Sequence, residues 1–161
     1  MKPSLFNRHA LFGLLGAVAV LTGVPVAVTV PAYAVDNIEG DDAPDLTAVK
    51  AKIDAKDFPG AISDLNALVS QGVQHPDVYN LLGYSLRKTG DMKNALTYYQ
   101  KALDFDPDHK GALEYMGELY VEIGDIAKAK ENLARLAQIC PEGCEERADL
   151  ERAIAKGVVT D

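Results

Sequence analysis

Basic residues are in short supply in this chain. Sixteen Lys and Arg face 24 Asp and Glu, for a formal net charge of −8. A surface of that sign repels phosphate, which argues against nucleic acid and against anionic membrane surfaces as partners. Histidine is also scarce: His9, His75 and His109 are too scattered to make a convincing site. Cysteine is limited to Cys140 and Cys144, a thin ligand set for a metal. There is no Gly-rich phosphate loop, no H-E-x-x-H helix and no Ser-His-Asp constellation that spacing supports. These absences point away from an enzyme. They imply no cofactor, no resident metal and no small-molecule substrate.

Long apolar runs are confined to the first part of the chain. Lys2 and Arg8 give a short basic start, and an almost wholly apolar stretch runs from Ala10 to Val30. It closes on Pro31-Ala32-Tyr33-Ala34, with small residues where an A-x-A cleavage site needs them. Residues 1–34 read as a secretory signal peptide cut near Ala34, which implies a periplasmic or secreted location. The competing reading is a retained membrane anchor, because the run approaches the length that spans a bilayer. Export would also place both cysteines where disulfides persist. Residues 35–44 are acidic and aperiodic and read as a disordered lead-in.

From residue 76 the pattern changes. In PDVYNLLGYSLRKTGDMKNALTYYQKALDFDPDH, numbered from Pro76, Tyr79, Leu82 and Leu86 occupy positions 4, 7 and 11. That is the spacing of one apolar helix stripe. Gly83, Ala95 and Ala102 at positions 8, 20 and 27 let two helix backbones approach, Tyr99 at 24 fills the gap, and Pro107 at 32 ends the second helix. The combination resembles the tetratricopeptide repeat, a helix–turn–helix unit of 34 residues. Tyr79 replaces the usual Trp and Leu86 the usual Tyr.

The same frame extends in both directions. Residues 45–75 carry Ala61, Leu65 and Leu68 at positions 20, 24 and 27 but lack the earlier signature, as a degenerate terminal repeat does. Residues 110–143 carry Leu113, Met116, Gly117, Tyr120, Ala129, Leu133 and Pro141 in frame, with Leu136 where a small residue is expected. Residues 144–157 form a half-repeat with Leu150 and Ile154 inward and Glu145, Glu146, Arg147, Glu151 and Arg152 toward water, a capping helix. Asp57, Asp91 and Asp125 share position 16 and read as helix N-caps rather than a metal ladder. Tyr98, Tyr99, Tyr115 and Tyr120 read as packing residues, and His75 and His109 as bland turn residues on one edge of the stack. The expected architecture is all-α: an α-solenoid of about seven antiparallel helices, three repeats and a cap. The resemblance further implies a right-handed superhelix.

The resemblance also implies where a partner would sit. In tetratricopeptide repeats, positions 2, 5, 9, 12 and 13 of the first helix line a concave groove. Here these are Asp77, Asn80, Tyr84, Arg87 and Lys88, then Gly111, Glu114, Glu118, Val121 and Glu122. Glu114, Glu118 and Glu122 recur every four residues and share a face at a cost in repulsion. They form an expected acidic wall for a basic or amine-rich partner, and a carboxylate clamp does not fit it. The expected function is therefore a non-catalytic protein–protein interaction scaffold of the cell envelope, holding a peptide or helix of another protein. A membrane role follows only if the N-terminal run is retained.

Cys140 and Cys144 flank a Pro-Glu-Gly turn. A disulfide pinning the cap, a reversible redox pair and thiolate binding of a soft metal such as Cu(I) all remain open on spacing. The alternative function is accordingly a redox or soft-metal-handling accessory protein. The segment is also similar to the tails of small exported bacterial members of the family, a likeness that brings no function with it.

Overall fold

In the computed structural model of the protein, residues 43–157 are described. Seven helices follow one another: α1 (Thr47–Asp54), α2 (Phe58–Ser70), α3 (Pro76–Lys88), α4 (Met92–Phe105), α5 (Lys110–Glu122), α6 (Ile126–Ile139) and α7 (Glu145–Gly157). Among the described residues there is no strand, and no helix is long and apolar enough to cross a membrane. The expected signal peptide, Met1–Ala34, lies outside the described residues, as does most of the acidic lead-in.

The even-numbered helices start alike. The carboxylates of Asp57, Asp91 and Asp125 accept the backbone N–H of Gly60 (3.0 Å), Asn94 (3.2 Å) and Lys128 (3.2 Å). Each satisfies a donor that the first helical turn leaves free. The turns before them are also alike. The N–H groups of Asp57, Asp91 and Asp125 reach back to the carbonyls of Lys52, Leu86 and Tyr120. This closure needs a left-handed residue just before the aspartate. Gly90 and Gly124 supply it with φ of 89° and 83°, and in the first repeat Lys56 takes the same conformation at 60°.

Histidine performs the corresponding task for α3 and α5. His75 Nδ1 accepts the N–H of Asp77 at 3.2 Å, and His109 Nδ1 accepts that of Ala112 at 3.0 Å. The reading of both as bland turn residues is corrected. An unprotonated ring nitrogen is an acceptor, which is what a helix N-terminus lacks. With Nδ1 accepting, the His109 proton sits on Nε2, which donates to Asp77 Oδ1 at 2.9 Å. That bond ties the start of α5 to the start of α3.

Close packing follows from the small residues. A Cβ on Gly83 would stand 2.7 Å from the Tyr99 ring and 3.1 Å from the Ala95 carbonyl, so α3 and α4 meet almost backbone to backbone. Gly117 differs from the expectation of a neighbouring backbone. A Cβ there would meet the Leu150 side chain at 2.6 Å, because α7 drops that leucine into the notch over α5. Leu136, at a position expected to be small, is fully buried in the same apolar cluster as Leu150 and Ile154. Each helix packs on its successor, and α5 packs also on α3 and α7. Thus α3, α5 and α7 form one inner layer.

Cys140 and Cys144 are joined by a disulfide with their Cα atoms 6.0 Å apart. It spans the turn from α6 to α7, where Gly143 is left-handed with φ of 100°. Closing so short a loop stabilises by about 2 kcal/mol on chain-entropy grounds.

Candidate functional site: the inner face of the stack

The expected groove residues do lie on the inner helices, but they are not equally free. Lys88 and Glu122 are exposed; Asp77, Tyr84 and Glu118 are half-buried; Asn80, Arg87 and Glu114 are buried. The expectation of an open groove lining is therefore corrected for the last three, which are largely buried.

Arg87 is the clearest case. Its guanidinium donates to the Tyr115 carbonyl (2.9 Å) and to Glu118 Oε2 (2.6 Å), and lies 3.3 Å from Glu122 Oε1. Burial alone would weaken its charge. The Glu118 hydrogen bond and the neighbouring carboxylates outweigh that and hold the pKa above its ordinary value. Glu118 and Glu122 are thus partners of a buried cation from the preceding repeat, not an unopposed acidic wall. An Arg side chain is long enough to reach the next helix, so position 12 can turn inward.

Aromatic rings line the same face. Tyr84 lies 4.9 Å from Tyr115 and 6.3 Å from Phe58, centroid to centroid, and the Lys88 ammonium sits 5.1 Å over the Tyr84 ring. Burial raises the pKa of Tyr84, and burial followed by the Glu114 charge pushes Tyr115 up to about 12. Both hydroxyls stay protonated and able to donate. Tyr115 had been expected only to pack.

Beside this patch is a cavity of about 340 Å³. Its walls come from α1, α3, α5 and α7. Five carboxyl groups line it, those of Asp77, Glu114, Glu145, Glu146 and Asp149, against one ammonium, Lys50. Asn80, Leu81, Gly111 and Tyr115 complete the lining. Gly111 keeps it open, since a Cβ there would stand 3.1 Å from Asn80 Nδ2. Glu145 and Glu146 were expected merely to face water. The missed signal is the frame itself: carried into the half-repeat, position 2 falls on Glu145.

Glu114 is only 7% exposed, and among the described residues no hydrogen bond or ion pair reaches its carboxyl group. Burial pushes its pKa up to about 8, and Glu118, Asp149 and Glu146 add to the shift while Arg87 opposes it. Among the described residues, no three His, Cys, Asp or Glu converge to hold a metal ion.

Two profiles of the tetratricopeptide repeat match the sequence, over residues 76–109 and 112–143. Among curated relatives, the probable biofilm formation methyltransferase WspC of Pseudomonas putida is 35% identical over 78 residues. That stretch is 48% of this chain and 18% of WspC, so the chain spans less than a fifth of that relative's length. Among solved structures, the type III secretion translocator chaperone SycD of Yersinia enterocolitica superposes with a TM-score of 0.62 at 15% identity, covering 70% of this chain and 80% of SycD. PcrH, solved in complex with the chaperone binding region of PopB, gives 0.58 at 17% identity, over 68% of this chain and 88% of PcrH. At these identities the likeness is one of fold.

Proposed function

Because the chain belongs to the tetratricopeptide repeat family, we propose that it is a non-catalytic adaptor of the bacterial cell envelope, holding a short segment of another protein against its inner face. The observation that carries this reading is the concavity shared by α1, α3, α5 and α7, beside an aromatic patch of Tyr84 and Tyr115. A surface both concave and partly aromatic suits a peptide or a single helix. The PcrH structure, in which a protein of this fold is in complex with the chaperone binding region of PopB, supports a protein segment as the ligand here. The envelope location is supported by the apolar run ahead of Ala34 and by a disulfide suited to an oxidising compartment.

Site-specific photo-crosslinking tests the reading. A benzoylphenylalanine at position 88, exposed beside the groove, is expected to trap a discrete protein partner in cells. The same probe at position 130, exposed on α6, is expected to trap none. Crosslinking from position 130 alone would place the partner elsewhere. A triple Glu114, Glu118 and Glu122 to Gln variant is the wrong tool, because it strips Arg87 of both carboxylates.

A further inference from the structure

We propose that the cavity between α1, α3, α5 and α7 is a socket for one basic side chain, a lysine or arginine, of the bound protein segment. The proposal rests on the adaptor reading and gives the chemistry of the partner.

One largely buried group on the cavity lining has no partner. Glu114 is 7% exposed and unpaired among the described residues. An ionised carboxyl group is an acceptor, so what it lacks is a donor. A charge-assisted hydrogen bond at so sheltered a position is a large part of what a ligand would gain.

The surroundings specify the donor's charge and shape. Lys50 on the lining, Lys110 paired with Glu146 and Arg152 paired with Asp149 offset part of the charge of Asp77, Glu145, Glu146 and Asp149, and the walls remain net negative. The carboxylates are spread around the cavity instead of converging, which suits an organic cation better than a metal ion. Leu81 and the Tyr115 ring supply apolar surface on the same lining, a match for the methylene stem of a long basic side chain. The head group would donate to Glu114 while the stem lies along Leu81 and Tyr115.

The socket carries a pH signature. Glu114 is faced by Glu118 on its own helix, by Glu145, Glu146 and Asp149 on α7 with Lys110 and Arg152 paired to the last two, by Arg87 and Asp77 on α3, and by Lys50 on α1. With its carboxyl group near 8 in the free chain, a cation must displace a proton below that pH. Affinity should therefore rise as pH rises toward 8, by up to roughly tenfold per unit.

The test is selection of a random linear peptide library on the full chain at pH 8, followed by anisotropy titration of the enriched peptides. The expected result is a shared Lys or Arg at one fixed position, and the residue enriched shows which source of the cation is used. Replacing it by norleucine should weaken binding by about tenfold or more, and that penalty should largely vanish on Glu114→Gln. Asp149→Asn, on a different helix, provides a second cycle should Glu114→Gln fold poorly. Enriched peptides with no fixed basic position, or a norleucine penalty equal on wild type and both variants, would overturn the socket and leave the adaptor reading standing. Failure to enrich any peptide would sink both.

Discussion

Lys56 holds a left-handed conformation that the later repeats give to Gly90 and Gly124. A side chain there strains against its own backbone, and glycine does not. Lys56→Gly should raise stability by about 0.5–1 kcal/mol, read from the urea midpoint. Glu114 makes the opposite kind of sacrifice. A free glutamate ionises near 4.5 and this one near 8, so folding grips the proton. Its stabilising effect is full below about 4.5 and is lost as pH rises through about 8. Glu114→Gln should therefore match wild type at pH 4 and exceed it at pH 9 by about 1–2 kcal/mol. That is below the full linkage value because the group opens on a wet cavity. Urea unfolding at the two pH values checks it. The two effects were not equally legible in the sequence. Lys56 could be read by stepping the Gly90 position back one repeat. The burial of Glu114 could not, because it depends on α7, and helical spacing says which residues share a face but not what covers them.

Two buried side chains, Leu150 and Ile154, hold α7 to the stack. Leu150 is fully buried in the notch over Gly117. Leu150→Ala should cost about 3 kcal/mol and release α7 before the rest of the stack, since repeats contact mainly their neighbours. Hydrogen exchange should show α7 amides losing protection first. The disulfide makes a separate contribution at the same junction. Exchanging both Cys140 and Cys144 for Ser should lower stability by about 2 kcal/mol and leave helix content unchanged by circular dichroism. The all-α class was readable because the repeat pattern is built from residue size and capping chemistry, which act locally. The Arg87 network was not, since it joins α3 to α5 across 31 residues and nothing in either helix's own pattern requires it.

For the molecule as a whole, the envelope proposal turns on the first 34 residues. Protein recovered from a periplasmic extract is expected to have an intact mass corresponding to a start at Val35. A start at Met1 in the membrane fraction would make it a tethered module instead. Removing Lys2 and Arg8 with that segment makes an acidic protein more acidic still, which favours basic partners at long range.

The cavity brings together residues far apart in the chain: Lys50 sits in the opening helix and Glu145 in the closing one. Arrays of this kind ordinarily lengthen by duplicating a unit, yet one more copy inserted here would carry α7 a full repeat away from Lys50. Growth by duplication would thus dismantle the chamber, so the chamber ties its lining to this number of units.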